Sequence, residues 1–324
     1  MLSLRFFCSI YIVDYYSGEF IREGVIRMKL LTFEEQGIHK LGVQIEQGII
    51  DVAATADKVG NVDIQTEIMA VISASTAEVS KLQAFIDAAI AEDKATFINA
   101  EKMTWGPAVT KPHKIICVGL NYRKHADETN APYPEVPILF NKFDNTLTGH
   151  NSEIPIPKVT EELDYEVELG IVIGKKAKYV KKDDALEHVF GYCVVNDLSA
   201  RDLQMRTPQW LLGKTCDKFS PVGPYLVTAD EVGNPNDLSL KTYVNGELRQ
   251  NSNTSDMIFT CAEIVSYISD YMTLEPGDII LTGTPQGVVL GLPKGQRVYL
   301  QPGDEVTVEI EKLGSLTNRF VAEN

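Results

Sequence analysis

The sequence predicts a mostly β protein of the α+β class, in which a small N-terminal α+β domain precedes a large β-sandwich or rolled barrel. Two observations lead to this prediction. Beyond residue 105, short apolar segments bounded by turn residues greatly outnumber helical patterns, which argues against a doubly wound parallel sheet. The turns also suit antiparallel strands, because Asn245-Gly246 favours a tight hairpin and Pro276-Gly277 and Pro302-Gly303 each lead into a strand.

The chain divides into three parts. Residues 1–27 contain an apolar run that is too short for a membrane span and lacks a small-residue cleavage site. We therefore expect this part to be an upstream extension, with the physiological start at Met28. Short strand and helix patterns predict a small N-terminal domain over residues 28–105, and a proline-marked linker then opens the larger domain, residues 106–324.

The elements follow from local patterns along the chain. Apolar runs of strand length, separated by turn residues, predict strands in the larger domain at 115–119, 169–174, 191–195, 225–227, 240–244, 278–282 and 305–310. Helical patterns are fewer. They predict helices at 63–74 and 77–92 in the smaller domain, and at 182–188, 199–209 and 261–271 in the larger one.

Composition limits the possible partners and the compartment. The formal net charge is -15 and the chain has no concentrated basic run, so a nucleic acid or an anionic membrane is not expected as its partner. A small anionic substrate would need a metal ion or a few local cations to approach. The five cysteines are scattered and form no CxxC motif, which predicts reduced thiols in a cytoplasmic protein.

Two glutamates in an apolar run are the first candidate site. Glu166 and Glu168 are two residues apart, so on a strand both carboxylates leave the same face while Val167 and Leu169 leave the other. Like charges side by side repel, and burying one unpaired is costly, so a cation between them is expected. The alternative is a solvated acidic face of a surface strand.

Asp197 is a candidate third carboxylate. It ends an apolar strand and precedes a predicted helix, a place where a side chain is held rigidly and still faces a cleft. An N-cap is the alternative role for an Asp at that position. Three carboxylates with no nearby His or Cys would form a hard oxygen site, which suits Mg²⁺ or Mn²⁺ better than Zn²⁺.

Other polar residues are candidates for binding and proton transfer. Arg201 and Gln204 share a helix face next to Asp197 and could hold a carboxylate or keto oxygen, unless Arg201 pairs with a surface acid. His125 and Glu128 would be one helical turn apart, and such a pair makes a general base, although a polar surface turn is the alternative.

The last two candidates lie in small-residue surroundings. Lys214 follows apolar and small residues, where a cation needs an anionic partner. Thr284 lies in the loop Thr282–Gly287, whose amides and hydroxyl could hold an anionic oxygen. This loop lacks the pattern of a P-loop, so no nucleotide is predicted.

Taken in order, these segments resemble the fumarylacetoacetate hydrolase family from about residue 111 to the C-terminus. Many motifs occur in one order, which makes a chance match implausible. The motifs are Val118-Gly119-Leu120-Asn121-Tyr122 with His125 and Glu128, Asp164-Tyr165-Glu166-Val167-Glu168-Leu169, Asn196-Asp197-Leu198-Ser199-Ala200-Arg201-Asp202-Leu203-Gln204, Gly213-Lys214, Val244-Asn245-Gly246-Glu247 and Thr282-Gly283-Thr284-Pro285.

The resemblance implies a mixed β-sandwich roll, or pseudo-barrel, that forms a homodimer, with residues 106–324 as its catalytic domain. It implies Mg²⁺ or Mn²⁺ held by Glu166, Glu168 and Asp197. It also assigns the remaining site residues. His125 and Glu128 are the water-activating pair on a mobile lid. Substrate contacts are made by Arg201, Gln204, Lys214 and Thr284, and Lys142 lies near the substrate carboxylate. In the expected mechanism Lys214 is also catalytic, because it balances charge in the pocket together with Arg201.

The function expected from these parts is metal-dependent hydrolysis of a C–C bond in acylpyruvate-like or 2,4-dioxo acids, through an enolate that the metal stabilises. Oxaloacetate-type decarboxylation is the alternative, followed by isomerisation or dehydration of a related 2-oxo acid, because these reactions share the enolate. An alternative of another class is a metal-stabilised binding module without turnover.

Overall fold

The computed structural model describes residues 11–13, 20–22, 29–60, 62–74 and 76–323. Within the predicted upstream extension it describes one antiparallel pair, β1 (Tyr11–Val13) and β2 (Phe20–Arg22). The rest of that extension and the predicted start at Met28 lie outside the described residues.

The N-terminal region forms an antiparallel meander with helices beside it. Its elements are β3 (Lys29–Glu35), β4 (Ile38–Ile45), β5 (Gly48–Asp51), α1 (Val52–Val59), α2 (Ile68–Ser73), α3 (Thr76–Ala91), β6 (Phe97–Ile98) and β7 (Thr104–Trp105). The helix predicted at 77–92 is confirmed as α3, which buries Leu82 and Ile86. The helix predicted at 63–74 is shorter, because only α2 within it is helical.

The remaining chain contains most of the strands. Its elements are β8 (Ile115–Gly119), α4 (Arg123–Glu128), β9 (Ile138–Lys142), β10 (Leu147–Thr148), β11 (Glu153–Ile156), β12 (Leu163–Asp164), β13 (Val167–Ile173), β14 (Val189–Asn196), β15 (Ser199–Ala200), α5 (Arg201–Gln204), α6 (Leu211–Lys214), β16 (Ser220–Thr228), α7 (Ala229–Val232), β17 (Ser239–Val244), β18 (Glu247–Asn253), α8 (Cys261–Tyr271), β19 (Ile279–Leu281), β20 (Glu305–Ile310) and β21 (Gly314–Ala322). Short 3₁₀ segments include Lys182–His188 and Val289–Gly291.

Two large mixed sheets organise the described residues. The larger has the strand order β6-β5-β4-β3-β16-β14-β13-β19-β8-β9, with β7 paired to β3 and β10 to β16. The smaller has the order β11-β21-β20-β17-β18. Both contain antiparallel and parallel pairs, since β8 runs parallel to β19 and β11 parallel to β21. Among the described strands neither sheet closes into a barrel, so the predicted mostly β roll is confirmed as an open one.

The two faces of β13 pack on different apolar clusters. Val167, Leu169, Ile171 and Ile173 belong to a cluster that also contains α8 and the inner face of the five-stranded sheet. Val172, on the opposite face, belongs to a cluster with α2, α3 and the N-terminal strands. Odd-numbered residues therefore face one layer and even-numbered residues face the other, as the alternation of a strand requires. Glu166 and Glu168 are even-numbered, so they lie on the same side as Val172.

The region predicted as one helix at 199–209 is different in the structure. Ser199 and Ala200 pair with Asp164 and Leu163 in a two-stranded ribbon, and only Arg201–Gln204 is helical. The helix prediction was wrong over most of this range, because the backbone hydrogen bonds at its start are made to a distant strand. The hairpin predicted at Asn245-Gly246 is confirmed, with φ values of 51° and 80° that suit a primed turn.

Candidate metal centre and active site

Glu166, Glu168 and Asp197 come together in the interior. Each is buried and offers a carboxylate oxygen, and these oxygens lie within 4.8 Å of one another. Glu168 lies on β13 and Glu166 directly precedes it, while Asp197 directly follows the neighbouring strand β14. The amide of Asp197 donates to the carbonyl of Glu166 over 2.9 Å, which fixes the two segments side by side. The alternative of a solvated acidic face is therefore excluded.

Three buried cations lie against this carboxylate cluster. Lys214 Nζ donates to Glu166 Oε2 and to Asp197 Oδ2, both over 2.7 Å. Arg201 Nη2 donates to Glu166 Oε1 over 2.7 Å, and Lys142 Nζ donates to Asp197 Oδ1. The cap predicted as the alternative for Asp197 is not formed, since its carboxylate binds two lysines. Arg201 likewise pairs with buried acids and not with a surface one.

The charges set the protonation states in the cluster. Burial by itself would raise the pKa of Glu166, but Lys214 and Arg201 outweigh it and lower that pKa to about 2. Glu168 differs: burial, followed by the charges of Asp197 and Glu166, raises its pKa well above the ordinary value. Glu168 accepts one backbone hydrogen bond, from Gly283 N over 2.7 Å, and no lysine or arginine hydrogen bond is given to it among the described residues.

The predicted His125–Glu128 pair is formed. Both residues lie on α4, and His125 Nδ1 is 2.8 Å from Glu128 Oε1. The other oxygen of Glu128 accepts a hydrogen bond from Gly287 N over 2.9 Å. His125 is buried, so the alternative of a polar surface turn is excluded. Because Nδ1 binds the carboxylate, Nε2 is the ring nitrogen left for a ligand.

A cavity of about 220 Å³ joins these groups. It is lined by His125, Glu166, Glu168, Arg201, Gln204, Lys214 and Thr284 together with apolar side chains that include Phe140, Met205, Trp210 and Leu290. Arg201 Nη1 donates to Gln204 Oε1 over 2.9 Å, so the two predicted binding residues also contact each other. Thr284 Oγ1 accepts from Gln250 Nε2 over 2.9 Å.

Lys142 is placed differently from the other predicted residues. It does not line the cavity, and its fully buried amine donates to Asp197 and to the carbonyl of Phe219 over 2.7 Å. Its position is that of a counter-ion behind Asp197. A contact between Lys142 and a substrate remains a prediction.

Several residues of the site were missed in the sequence. Asp164 binds Arg201, Asn196 Oδ1 accepts from Glu166 N over 3.0 Å, and Gln250 holds both Val167 N and Thr284. Asn196 had a signal, because it directly precedes Asp197. Phe140 and Trp210 form one wall, with ring centroids 5.3 Å apart. Their apolar character in the sequence is the same as that of core residues, so it gave no sign of a cavity.

Comparison with known proteins agrees with this architecture. Residues 114–321 match the family model described as fumarylacetoacetate (FAA) hydrolase, C-terminal. The chain belongs to the fumarylacetoacetate hydrolase family. The predicted family membership is thereby confirmed, as is the prediction of an enzyme, which argues against a binding module without turnover.

Curated relatives and solved structures in this family are substantially similar. Oxaloacetate tautomerase FAHD2B, mitochondrial, of Bos taurus is 49% identical over 222 residues, which cover 68% of this chain and 70% of that protein. Fumarylacetoacetate hydrolase from the psychrophile Exiguobacterium antarcticum superposes with a TM-score of 0.76 and 35% identity, over 91% of this chain and 100% of the other.

A third comparison concerns a metal complex. Maleylpyruvate hydrolase from Sphingobium sp. SYK-6, in complex with manganese(II) ion and pyruvate, has a TM-score of 0.73 and 30% identity, over 92% of this chain and 100% of the other.

Within the part of the chain that the structure describes, no helix combines the length and apolar character needed to cross a bilayer.

Proposed function

We propose that this chain is a divalent-metal-dependent enzyme that interconverts the enol and keto forms of oxaloacetate or a similar 2-oxo acid. The observation that carries the proposal is the cavity that His125, held by Glu128, lines together with Glu166, Glu168, Arg201 and Lys214. The similarity to an oxaloacetate tautomerase supports the choice of reaction.

The donor set fits a divalent ion. With Asp164, four buried carboxylates lie against three buried cations, which are Lys142, Lys214 and Arg201. The three cations balance Asp164, Glu166 and Asp197, while burial and the acidic neighbours raise the pKa of Glu168 and keep it protonated. A bound divalent ion would supply the charge that lets Glu168 ionise, because a buried carboxylate needs such compensation. Glu166, Glu168 and Asp197 would hold the ion, and we propose Mg²⁺ or Mn²⁺ because all three ligands are oxygens. The manganese complex of the maleylpyruvate hydrolase supports this assignment.

The side chains supply the proton transfer. When bound, the ion would polarise the 2-oxo group of the substrate and stabilise negative charge on its oxygen. His125 Nε2 takes a proton from C3 of the keto form, which leaves an enolate, and a proton delivered to the 2-oxygen by the same imidazolium or by water then gives the enol. In the reverse direction the enol O–H loses its proton and His125 returns one to C3. Glu128 accepts the hydrogen bond from Nδ1, which keeps the ring in the tautomer with a basic Nε2.

Other residues orient the substrate. Arg201 and Gln204 lie at the cavity wall and would bind a carboxylate or keto oxygen of the substrate. Lys214 balances the charge of Glu166 and Asp197, and burial, which would lower its pKa, is outweighed by those two carboxylates, so its pKa is raised. Lys214 therefore acts as a fixed cation, and Thr284 lines the same cavity as a hydroxyl contact.

Hydrolysis of a C–C bond in acylpyruvate-like or 2,4-dioxo acids is the second candidate. The same His125–Glu128 pair can take a proton from water, which would then attack a C4 carbonyl. The similarity to a maleylpyruvate hydrolase favours this reaction. Decarboxylation of oxaloacetate is a third outcome, because loss of CO₂ leaves the same enolate and needs no water.

One assay separates these reactions. Purified protein would be given enol-oxaloacetate, keto-oxaloacetate or an acylpyruvate, each with Mn²⁺ or with EDTA. We expect Mn²⁺-dependent loss of the enol absorbance above the uncatalysed rate, with little pyruvate formed. Pyruvate release from the acylpyruvate would instead support the hydrolase, and its release from oxaloacetate the decarboxylase. Enol loss that is identical with EDTA would contradict a metal-dependent tautomerase.

The homodimer and the cytoplasmic location are also proposals. Sedimentation of the purified chain at micromolar concentration would test the dimer. The curated relative named above is described as mitochondrial, so fractionation of the source cells is the test of location.

A further inference from the structure

Asp164 is a buried carboxylate to which the proposed chemistry gives no role. Its Oδ1 accepts hydrogen bonds from Tyr165 N over 2.9 Å and from Val289 N over 3.0 Å. Its Oδ2 accepts from Leu290 N over 3.0 Å and from Arg201 Nε over 2.9 Å. The side chain is fully buried, so every one of these hydrogen bonds is shielded from water.

The 287–291 loop donates hydrogen bonds to Asp164 from Val289 and Leu290, and the same loop contacts Glu128. Gly287 N donates to Glu128 Oε2 over 2.9 Å. A Cβ atom at Gly291 would lie 2.5 Å from the Glu128 carboxylate, so the carboxylate occupies the space that the glycine leaves. The same loop places Leu290 in the cavity wall.

These contacts connect two halves of the site that come from distant segments. Arg201 binds Glu166 of the carboxylate cluster, while Glu128 and His125 lie on α4, and both Arg201 and His125 line the cavity. Asp164 binds Arg201 and also binds the 287–291 loop, which in turn contacts Glu128. Proton transfer needs the base placed to within a fraction of an ångström of the substrate, so a common anchor for both halves has a direct effect on rate.

We propose that Asp164 is a positioning residue that fixes the 287–291 loop, and through it Glu128 and His125, relative to Arg201 and the carboxylate cluster. A test of this role by turnover rests on the proposed function, whereas the position of the loop can be measured on protein that is not turning over substrate.

Asp164→Asn tests this role with a nearly isosteric side chain. The amide oxygen can replace Oδ1 and keep Tyr165 N and Val289 N. The amide nitrogen then replaces Oδ2 and meets the N–H groups of Leu290 and Arg201, so these two contacts are lost. We expect turnover to fall by about 10²-fold, the usual cost of misplacing a catalytic group by about 1 Å. We also expect faster hydrogen exchange at the amide of Leu290, measured on the resting protein.

Asp278→Asn is the matched control. Asp278 is equally buried and accepts from Lys114 N, Lys114 Nζ and Glu275 N over 2.7 to 2.9 Å, but it does not line the cavity. Both substitutions remove a buried carboxylate, so both should lower the melting temperature. Only Asp164→Asn should change turnover of the folded protein and exchange at Leu290.

A double-mutant cycle distinguishes positioning from general destabilisation. If Asp164 acts through Glu128, then Asp164→Asn should cost much less in a Glu128→Gln background than in the wild type, whereas Asp278→Asn should cost the same in both. Gly291→Ala approaches the contact from the loop side. Its added Cβ should displace Glu128 and reduce turnover even if Asp164→Asn proves too unstable to purify.

The outcomes separate the two proposals. Wild-type protein without metal-dependent turnover would overturn the proposed function, and exchange at Leu290 would still report on Asp164. If Asp164→Asn matches Asp278→Asn in turnover, in exchange at Leu290 and in additivity with Glu128→Gln, Asp164 is only a structural residue and the inference is wrong.

Discussion

Single side chains in the candidate site are held by a balance between buried carboxylates and buried cations. Asp197 forms ion pairs with Lys142 and Lys214, and Glu166 forms ion pairs with Lys214 and Arg201, so both buried carboxylates have cationic partners. Breaking one partner of such a pair is costly because the other charge stays buried. The same side chains therefore support both the fold and the proposed metal site.

Asp197→Asn should weaken metal binding. The substitution removes one ligand charge. Loss of a residue that only hydrogen-bonds to a metal ligand costs up to about 10²-fold in affinity, so loss of the ligand itself should lower the Mn²⁺ affinity, measured by calorimetry, by at least about that factor. Mn²⁺ should also raise the melting temperature of the wild type more than that of the variant. Unchanged affinity in the variant would mean that Asp197 is not a metal ligand.

His125→Ala should reduce turnover without affecting the metal. Loss of a general base costs about 10² to 10⁴-fold in rate, and the side-chain hydrogen bond of His125 is made to Glu128, which is not one of the proposed metal ligands. Turnover and Mn²⁺ affinity would be measured on the same preparation, with His188→Ala as the control, since His188 is half-buried, does not line the cavity and bonds only the backbone carbonyls of Lys175 and Lys176. Equal losses of turnover and affinity would contradict the assigned role.

At the scale of elements, the loop after β19 sets the position of Glu168. Gly283 has a φ of 97°, donates its amide to Glu168, and leaves no room for a side chain, because a Cβ would lie 2.9 Å from Asn121 Cβ and 3.0 Å from the carbonyl of Val118. Backbone conformation and close packing thus both require glycine at this position. The loop is in this respect a part of the carboxylate cluster.

Gly283→Ala should therefore weaken metal binding as well as stability. Gly303→Ala is its control, because Gly303 has a φ of 102° but a Cβ there would meet no described atom within 4 Å. Both variants should lose about 1 kcal/mol or more of unfolding free energy from the left-handed backbone. Only Gly283→Ala should also lower Mn²⁺ affinity in calorimetry. Equal affinity in the two variants would separate the loop from the cluster.

At the scale of the whole molecule, one sheet runs through the N-terminal region and the larger domain. Leu30 of β3 pairs with Leu226 of β16, and the apolar cluster on that face combines Leu41 and Val43 with Ile115 and Val172. The predicted boundary near residue 105 stays a prediction, but these contacts show that the two regions share a core. Their stabilities should therefore be coupled.

His150 is expected to make this shared structure sensitive to acid. Its ring packs against Trp105 with centroids 5.0 Å apart, and Nδ1 accepts from Thr317 N over 3.0 Å, which requires the neutral form. Burial lowers the pKa of His150 from 6.5 to about 4. Between these values the unfolded chain binds the extra proton, so stability should fall as the pH falls from 6.5 to 4, by on the order of 2 kcal/mol.

Denaturant unfolding across this pH range tests the effect. His150→Asn keeps an acceptor near the position of Nδ1 but cannot take up a proton, so the variant should lose less stability than the wild type between pH 6.5 and 4. His188→Asn, at a half-buried histidine that bonds only backbone carbonyls, should follow the wild type. An identical acid dependence in wild type and His150→Asn would show that His150 does not control it.

The sequence by itself determined the local features of this protein. Alternation placed Glu166, just before β13, and Glu168, within it, on the same side of the chain. The spacing of His125 and Glu128 placed them one turn apart, and the turn residues at Asn245-Gly246 formed the expected hairpin. These features depend on the periodicity of a strand, on the pitch of a helix and on φ preferences, which short segments already possess. The order of the motifs along the chain was likewise sufficient to predict the family and, with it, the fold.

Only the tertiary structure decided which charges meet and where the cavity lies. Residues 199–200 became a strand because Asp164 and Leu163 offered a partner, and Lys142 became a counter-ion because β9 brings it behind Asp197. Asp164 gained its role from contacts with residues 37 and 125 positions away. Such pairings depend on the packing of distant segments, and a buried charge gives no local pattern that reveals its partner.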